Sequence, residues 1–127
     1  AEDYVYAFEL TDAGGRRLLL AMDELNGWTP PSEVRGCDLA VLPMGICEHD
    51  PFGSKRWIHE EHPILRFEAT FEETLAIVDA LGAGRVVLSH VEEMDGLTVD
   101  DLSALEHRLR AEGRQVTFAY DGLVAEV

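Results

Sequence analysis

From Leu39 to Tyr120 the chain alternates strand-like and helix-like segments, each with its own start and stop signals, and this alternation restricts the fold more than any other feature. Asp38 to Leu42 is a short apolar run bounded by Gly36 and Pro43, the pattern of a buried strand. Thr70-Phe71-Glu72-Glu73 reads as a capping box, because a Thr hydroxyl and a Glu three positions later satisfy the orphan amides of a helix start. Phe71, Leu75, Val78 and Leu81 then share one helical face, and Gly82 is placed to end the helix. A strand over 85–90 follows. Thr98 to Asp101 repeats the start signal, Leu102, Leu105 and Leu109 repeat the stripe, and Gly113 repeats the stop. Gln115 to Tyr120 is a further strand, with Leu123 to Val127 pairing as the last. Strands separated by helices imply right-handed crossovers and a largely parallel sheet.

The first part of the chain contributes a hairpin. Tyr4, Tyr6, Phe8 and Leu10 alternate with Val5, Ala7 and Glu9, the period of two expected of a strand. Asp12-Ala13-Gly14-Gly15 turns the chain, and residues 17–23 return as a second strand. Trp28-Thr29-Pro30-Pro31 opens a loop. The stretch from Pro43 to about Ala69 lacks periodicity. Its Phe52, Trp57, Ile58, Ile64, Leu65 and Phe67 argue against disorder, and long loops inside compact domains usually carry function. The 127 residues, 46% of them hydrophobic, suit a single α/β domain.

Charge and segment composition exclude some roles. A net charge of −15, from 25 acidic and 10 basic residues, makes nucleic acid an unfavourable partner for this chain. No apolar run reaches the roughly 18–20 residues of a membrane span, and Ala1-Glu2-Asp3-Tyr4 lacks the basic-then-apolar order of a signal peptide, so the cytoplasm is the expected compartment. Ala1 in place of an initiator Met marks a processed chain or a piece of a longer one. Cys37 and Cys47 match neither a Cys-x-x-Cys pair nor a disulfide framework and read as reduced and buried; ligation of zinc is the sharper alternative.

Two strands run into residues that bind metals. Leu18-Leu19-Leu20-Ala21-Met22 leads to Asp23, and Val86-Val87-Leu88-Ser89 leads to His90, followed by Glu92-Glu93. Ligands in open α/β sheets collect outside the carboxyl ends of strands, so this pair reads as half of a metal site. Asp23 can equally be a turn residue, given Glu24, Asn26 and Gly27, and a lone His90 can be a satisfied core histidine. Trp57-Ile58-His59-Glu60-Glu61-His62-Pro63 fails the helical zinc-protease signature, since His59 and His62 are three apart and Pro63 biases His62 away from helix. It leaves a His-bearing acidic loop in which His62 is the candidate acid or base. His49, in a turn with Asp50, Pro51 and Gly53, and His107, on the polar part of the second helix, are weaker candidates.

Taken in order, Leu18 to Asp23, the Pro-rich break, Gly36-Cys37-Asp38-Leu39-Ala40-Val41-Leu42, the His-bearing loop, Val86-Val87-Leu88-Ser89-His90 and Ala119-Tyr120-Asp121-Gly122-Leu123 resemble the C-terminal half of metallo-β-lactamase-fold hydrolases, in the ribonuclease Z-like and phosphoribosyl cyclic phosphodiesterase-like branch. The resemblance implies half of a four-layer αββα fold: one mixed sheet with helices on one face. It implies that Asp23 bridges two metal ions (zinc, manganese or iron), that His90 is the last His ligand, and that His62 sits near the scissile phosphate. Asp121 falls in the pattern with no metal role to transfer.

The family's His-x-His-x-Asp-His motif is absent from this sequence, so the resemblance places it in a missing N-terminal half, the expected partner. The whole enzyme would cleave a small phosphodiester or related ester through a metal-bound hydroxide. This chain alone would bind metal weakly and be inactive or poorly active. Its bare sheet face would pair with the missing half or with a second copy as a homo-oligomer. From a different class, the alternative is a non-catalytic α/β binding module without metal.

Overall fold

The computed structural model describes residues 6–91 and 96–127. The elements run β1 (Phe8–Thr11), β2 (Arg17–Leu20), β3 (Leu39–Pro43), α1 (Phe71–Leu81), β4 (Arg85–Ser89), α2 (Val99–Ala111) and β5 (Val116–Phe118), with short 3-10 turns at Ser32–Val34 and Pro63–Arg66. They form one mixed five-stranded sheet in the order β1-β2-β3-β4-β5. β1 pairs antiparallel with β2, and the remaining neighbours are parallel. The α/β class and the hairpin-then-parallel order are as the sequence predicts.

Local chemistry explains the boundaries. The hairpin is closed by Asp12, whose Oδ1 accepts from the amides of Gly14 and Arg16. α1 starts where the Thr70 hydroxyl accepts from the Glu73 amide, and it stops at Gly82, whose φ of 61° an L side chain adopts only at a cost. α2 has the complete box: Thr98 accepts from the Asp101 amide while the Asp101 carboxylate accepts from the Thr98 amide. At α1 the box is half closed, because Glu73 takes the Thr70 hydroxyl instead of the backbone amide.

The pleat sorts the sheet into two faces. Leu19, Ala40, Val86 and Val116 fall in register on one, with Leu42, Leu88 and Phe118 one row further, and all belong to a single core with Phe71, Ile77, Val78 and Leu81 of α1 and Leu105 and Leu109 of α2. Truncating a fully buried Leu in such a core costs about 2–5 kcal/mol. The other face carries the row Phe8, Leu20, Val41, Val87 and Thr117 across all five strands. Phe8 and Leu10 are exposed at 60% and 53%.

Four features differ from expectation. β2 ends at Leu20 and β4 at Ser89, so Asp23 and His90 lie beyond the strands instead of terminating them. The first strand begins at Phe8, and the expected residues Tyr4 and Val5 lie outside those described. Leu123 to Val127 is not a strand. Residues 123–126 line a groove with Leu39, Val87 and Thr117 under the second sheet face, and Arg16 Nη1 donates to the Val127 carbonyl at 2.7 Å. The reason is a turn at Tyr120, whose carbonyl accepts from the Leu123 amide and sends the chain away from the ladder.

Candidate metal centre at the strand ends

The parallel strands β2, β3 and β4 deliver three loops to the same edge of the sheet. After β2 the chain keeps contact for one more residue, the Ala21 amide donating to the Val41 carbonyl. It then bends, and the carboxylate closing that bend belongs to Glu24: its Oε1 accepts from the amides of Leu25, Asn26 and Ala69, all at 2.8 Å. Glu24 therefore holds both its own turn and the segment before α1. The turn-forming role open to Asp23 in the sequence is filled by its neighbour, and Asp23 stands exposed.

After β4 the backbone turns abruptly. The Ser89 carbonyl accepts from the Met44 amide and the Ser89 hydroxyl donates to the Leu42 carbonyl, fixing the end of β4 against β3. His90 then takes a φ of 55°, and among the described residues no other non-glycine has a positive φ. A side chain in that region is locally unfavourable, and such residues cluster where structure serves a site.

Asp23 and His90 line one small cavity of about 80 Å³, whose wall also includes Glu24, Gly45, Ile46, Glu68 and Ala69. Gly45 shapes it. At φ 81°, an added Cβ there would lie 2.7 Å from the Ala69 carbonyl oxygen and 2.9 Å from Thr74 Oγ1, so only glycine lets the loop after β3 pass so close to the start of α1. The cavity has room for an ion with one or two waters. One imidazole with carboxylates is a donor set that zinc, manganese and iron accept. Among the described residues, however, the one trio of such groups with ligand atoms within 4.8 Å of one another is Glu48, His49 and Glu72, none of which lines this cavity. Asp23 and His90 line the same cavity without completing such a trio with Glu24 or Glu68.

Glu24 and Glu68 were not legible as members of this cavity. Neither sits at a strand end, and the segment holding Glu68 reads as aperiodic loop. His62 does not line the cavity. It is exposed with extended backbone before Pro63, and its Nδ1 accepts from the Ile64 amide at 3.1 Å. The Nδ1 of His59 likewise accepts from the Glu61 amide, and His107 is exposed on α2. Glu92 and Glu93 lie outside the described residues. Cys37 and Cys47 are buried without a disulfide, and burial pushes the Cys37 thiol pKa up, away from the thiolate a metal would need. No helix among the described residues is long and apolar enough to cross a membrane. No family model, curated protein or solved structure matches the chain.

Proposed function

We propose that this chain is the C-terminal part of a metal-dependent hydrolase of metallo-β-lactamase-like fold, acting on a phosphodiester or related ester, in which Asp23 and His90 hold divalent metal ions, two in the complete site. One observation carries the reading. Asp23 and His90, far apart in sequence, line a single cavity beyond the carboxyl ends of a parallel sheet, and His90 does so from a disfavoured backbone conformation.

A bound cation would supply the activation of water and the polarisation of the ester. The chain's own residues have separable tasks. Asp23 and His90 offer an anionic oxygen and an imidazole nitrogen as ligands. Glu24 orients the walls through its three backbone hydrogen bonds, and Glu68 adds a third carboxylate to the lining. His62, on the exposed loop before α1 and outside the lining, is the proposed acid or base.

The remaining ligands would come from a complementary half carrying the His-x-His-x-Asp-His motif. The apolar residues Phe8, Leu20 and Val41, exposed or half-buried on the second sheet face, offer it a surface. The same surface favours the second reading, a binding module without metal, and the two differ in what Asp23 and His90 do.

The test is hydrolysis of bis(p-nitrophenyl) phosphate with zinc or manganese, using the chain together with the segment that completes the ligand set. Asp23→Ala and His90→Ala should each lower kcat/KM by more than about 100-fold, beyond what loss of a group supporting a ligand costs. Stoichiometric metal and unchanged activity in both variants would contradict the proposal.

A further inference from the structure

A second group of donors lies where the long loop after β3 meets the first turn of α1. Glu48 and His49 come from the loop and Glu72 from the helix, and one ligand atom from each lies within 4.8 Å of the other two. His49 Nδ1 and Glu72 Oε1 are 3.6 Å apart, too long for a hydrogen bond. That spacing is close to the roughly 3.3 Å between neighbouring ligand atoms around a tetrahedral zinc with bonds near 2.0–2.1 Å. Imidazole with two carboxylates is a borderline donor set suited to a divalent transition metal.

The backbone on both sides is already fixed. Ile46 and Thr70 form a bridge between the two segments, with the Ile46 amide donating to the Ala69 carbonyl and the Phe71 amide donating to the Ile46 carbonyl. The Glu48 carbonyl accepts from the amides of Trp57 and Ile58, and His49 bridges to Arg56. From the far side Arg108 of α2 donates to the Pro51 carbonyl and lies over the Phe52 ring. The donors are thus presented by anchored chain. Glu48 is also bound by Arg56, whose Nη1 donates to Oε1 at 2.7 Å, which leaves the second carboxylate oxygen for a cation.

We propose that Glu48, His49 and Glu72 form a second, structural binding site for a divalent transition metal, which staples the loop over residues 48–58 to the start of α1. It shares no donor residue with the strand-end cavity. Closing a loop of this kind lowers its opening, because binding acts only on the closed form.

Lys55 and Arg56 sit exposed in the stapled loop and make trypsin a direct reporter. With zinc alone as probe and the full chain as substrate, cleavage after Lys55 and Arg56 should slow by at least about fivefold, in proportion to the fraction of loop held closed. The same protection should persist in the Asp23→Ala/His90→Ala double variant and disappear in His49→Ala and in Glu72→Gln. Glu72 is an exposed helix residue, so Glu72→Gln leaves the fold intact and decides the matter if His49→Ala proves unstable. Absence of zinc protection in the unmodified chain, or protection that survives Glu72→Gln, overturns the proposal and leaves His49 and Glu72 as an ion pair only. Protection lost with Asp23 and His90 would overturn it too, while leaving the strand-end site standing.

Discussion

His90 illustrates what a single residue can and cannot declare in sequence. Its position after an apolar run marks it as an end-of-strand residue, but its left-handed backbone conformation follows from the clamp of Ser89 on Met44 and Leu42, which is a tertiary matter. Glycine at this position would relieve the strained φ and remove the imidazole together. His90→Gly is therefore expected to lose metal affinity while changing stability by less than about 2 kcal/mol, since relief of the strained φ offsets the loss of the side chain; chemical denaturation alongside metal titration separates the two effects. Gly45 behaves oppositely. Gly45→Ala forces a methyl against a backbone oxygen at a positive φ, and a loss of about 3 kcal/mol in urea denaturation is expected. A change below about 0.5 kcal/mol would show that the loop is not confined as described. Asp23 was legible as a candidate. That Glu24 and not Asp23 closes the turn was not, since Asp and Glu at adjacent positions present the same signal until the partner amides are placed.

At the scale of elements, the strongest sequence signals were those with a local cause. The stops at Gly82 and Gly113, the turn at Asp12 and the full box at Thr98 rest on contacts a few positions away, and all stand where the sequence put them. Thr98→Ala removes the acceptor for the Asp101 amide and should cost about 1 kcal/mol, read as a lower melting temperature. The ion pair between Arg114 and Asp79 is solvent-accessible. The carboxylate holds the guanidinium pKa above its usual range, yet Asp79→Asn should change stability by less than about 1 kcal/mol. Signals that depended on long-range pairing were less reliable. The expected last strand at 123–127 became an irregular tail, because alternation alone does not say whether a neighbouring edge is in reach. Residues 43–69 yielded least. Their order comes from scattered ties, such as Ile46 to Thr70 and Arg108 to Pro51, that leave no period in the sequence.

For the whole molecule, the unequal faces of the sheet are the feature to explain. Among the described residues two helices cover one face, and the tail from Leu123 lies along part of the other, where Leu39 and Val87 are buried. Tyr6, Phe8 and Leu10 extend that apolar surface to the outer strand, at 68%, 60% and 53% exposure. Surfaces of this kind usually mark interfaces. In the proposed enzyme the second sheet layer packs there, so the chain alone should self-associate in light scattering, and Phe8→Lys should shift it toward monomer. A strictly monomeric unmodified chain would remove the need for a partner.

The central claim is spatial: Asp23 and His90 together hold a divalent cation. Manganese titration followed by NMR tests it most directly, since a paramagnetic ion broadens the signals of nearby nuclei even when binding is weak. With Glu72→Gln in place to silence the second site, the resonances of residues 23, 24, 45, 46, 68, 69 and 90 should broaden first and together. Broadening centred anywhere else, with Asp23 and His90 left sharp, would contradict the account.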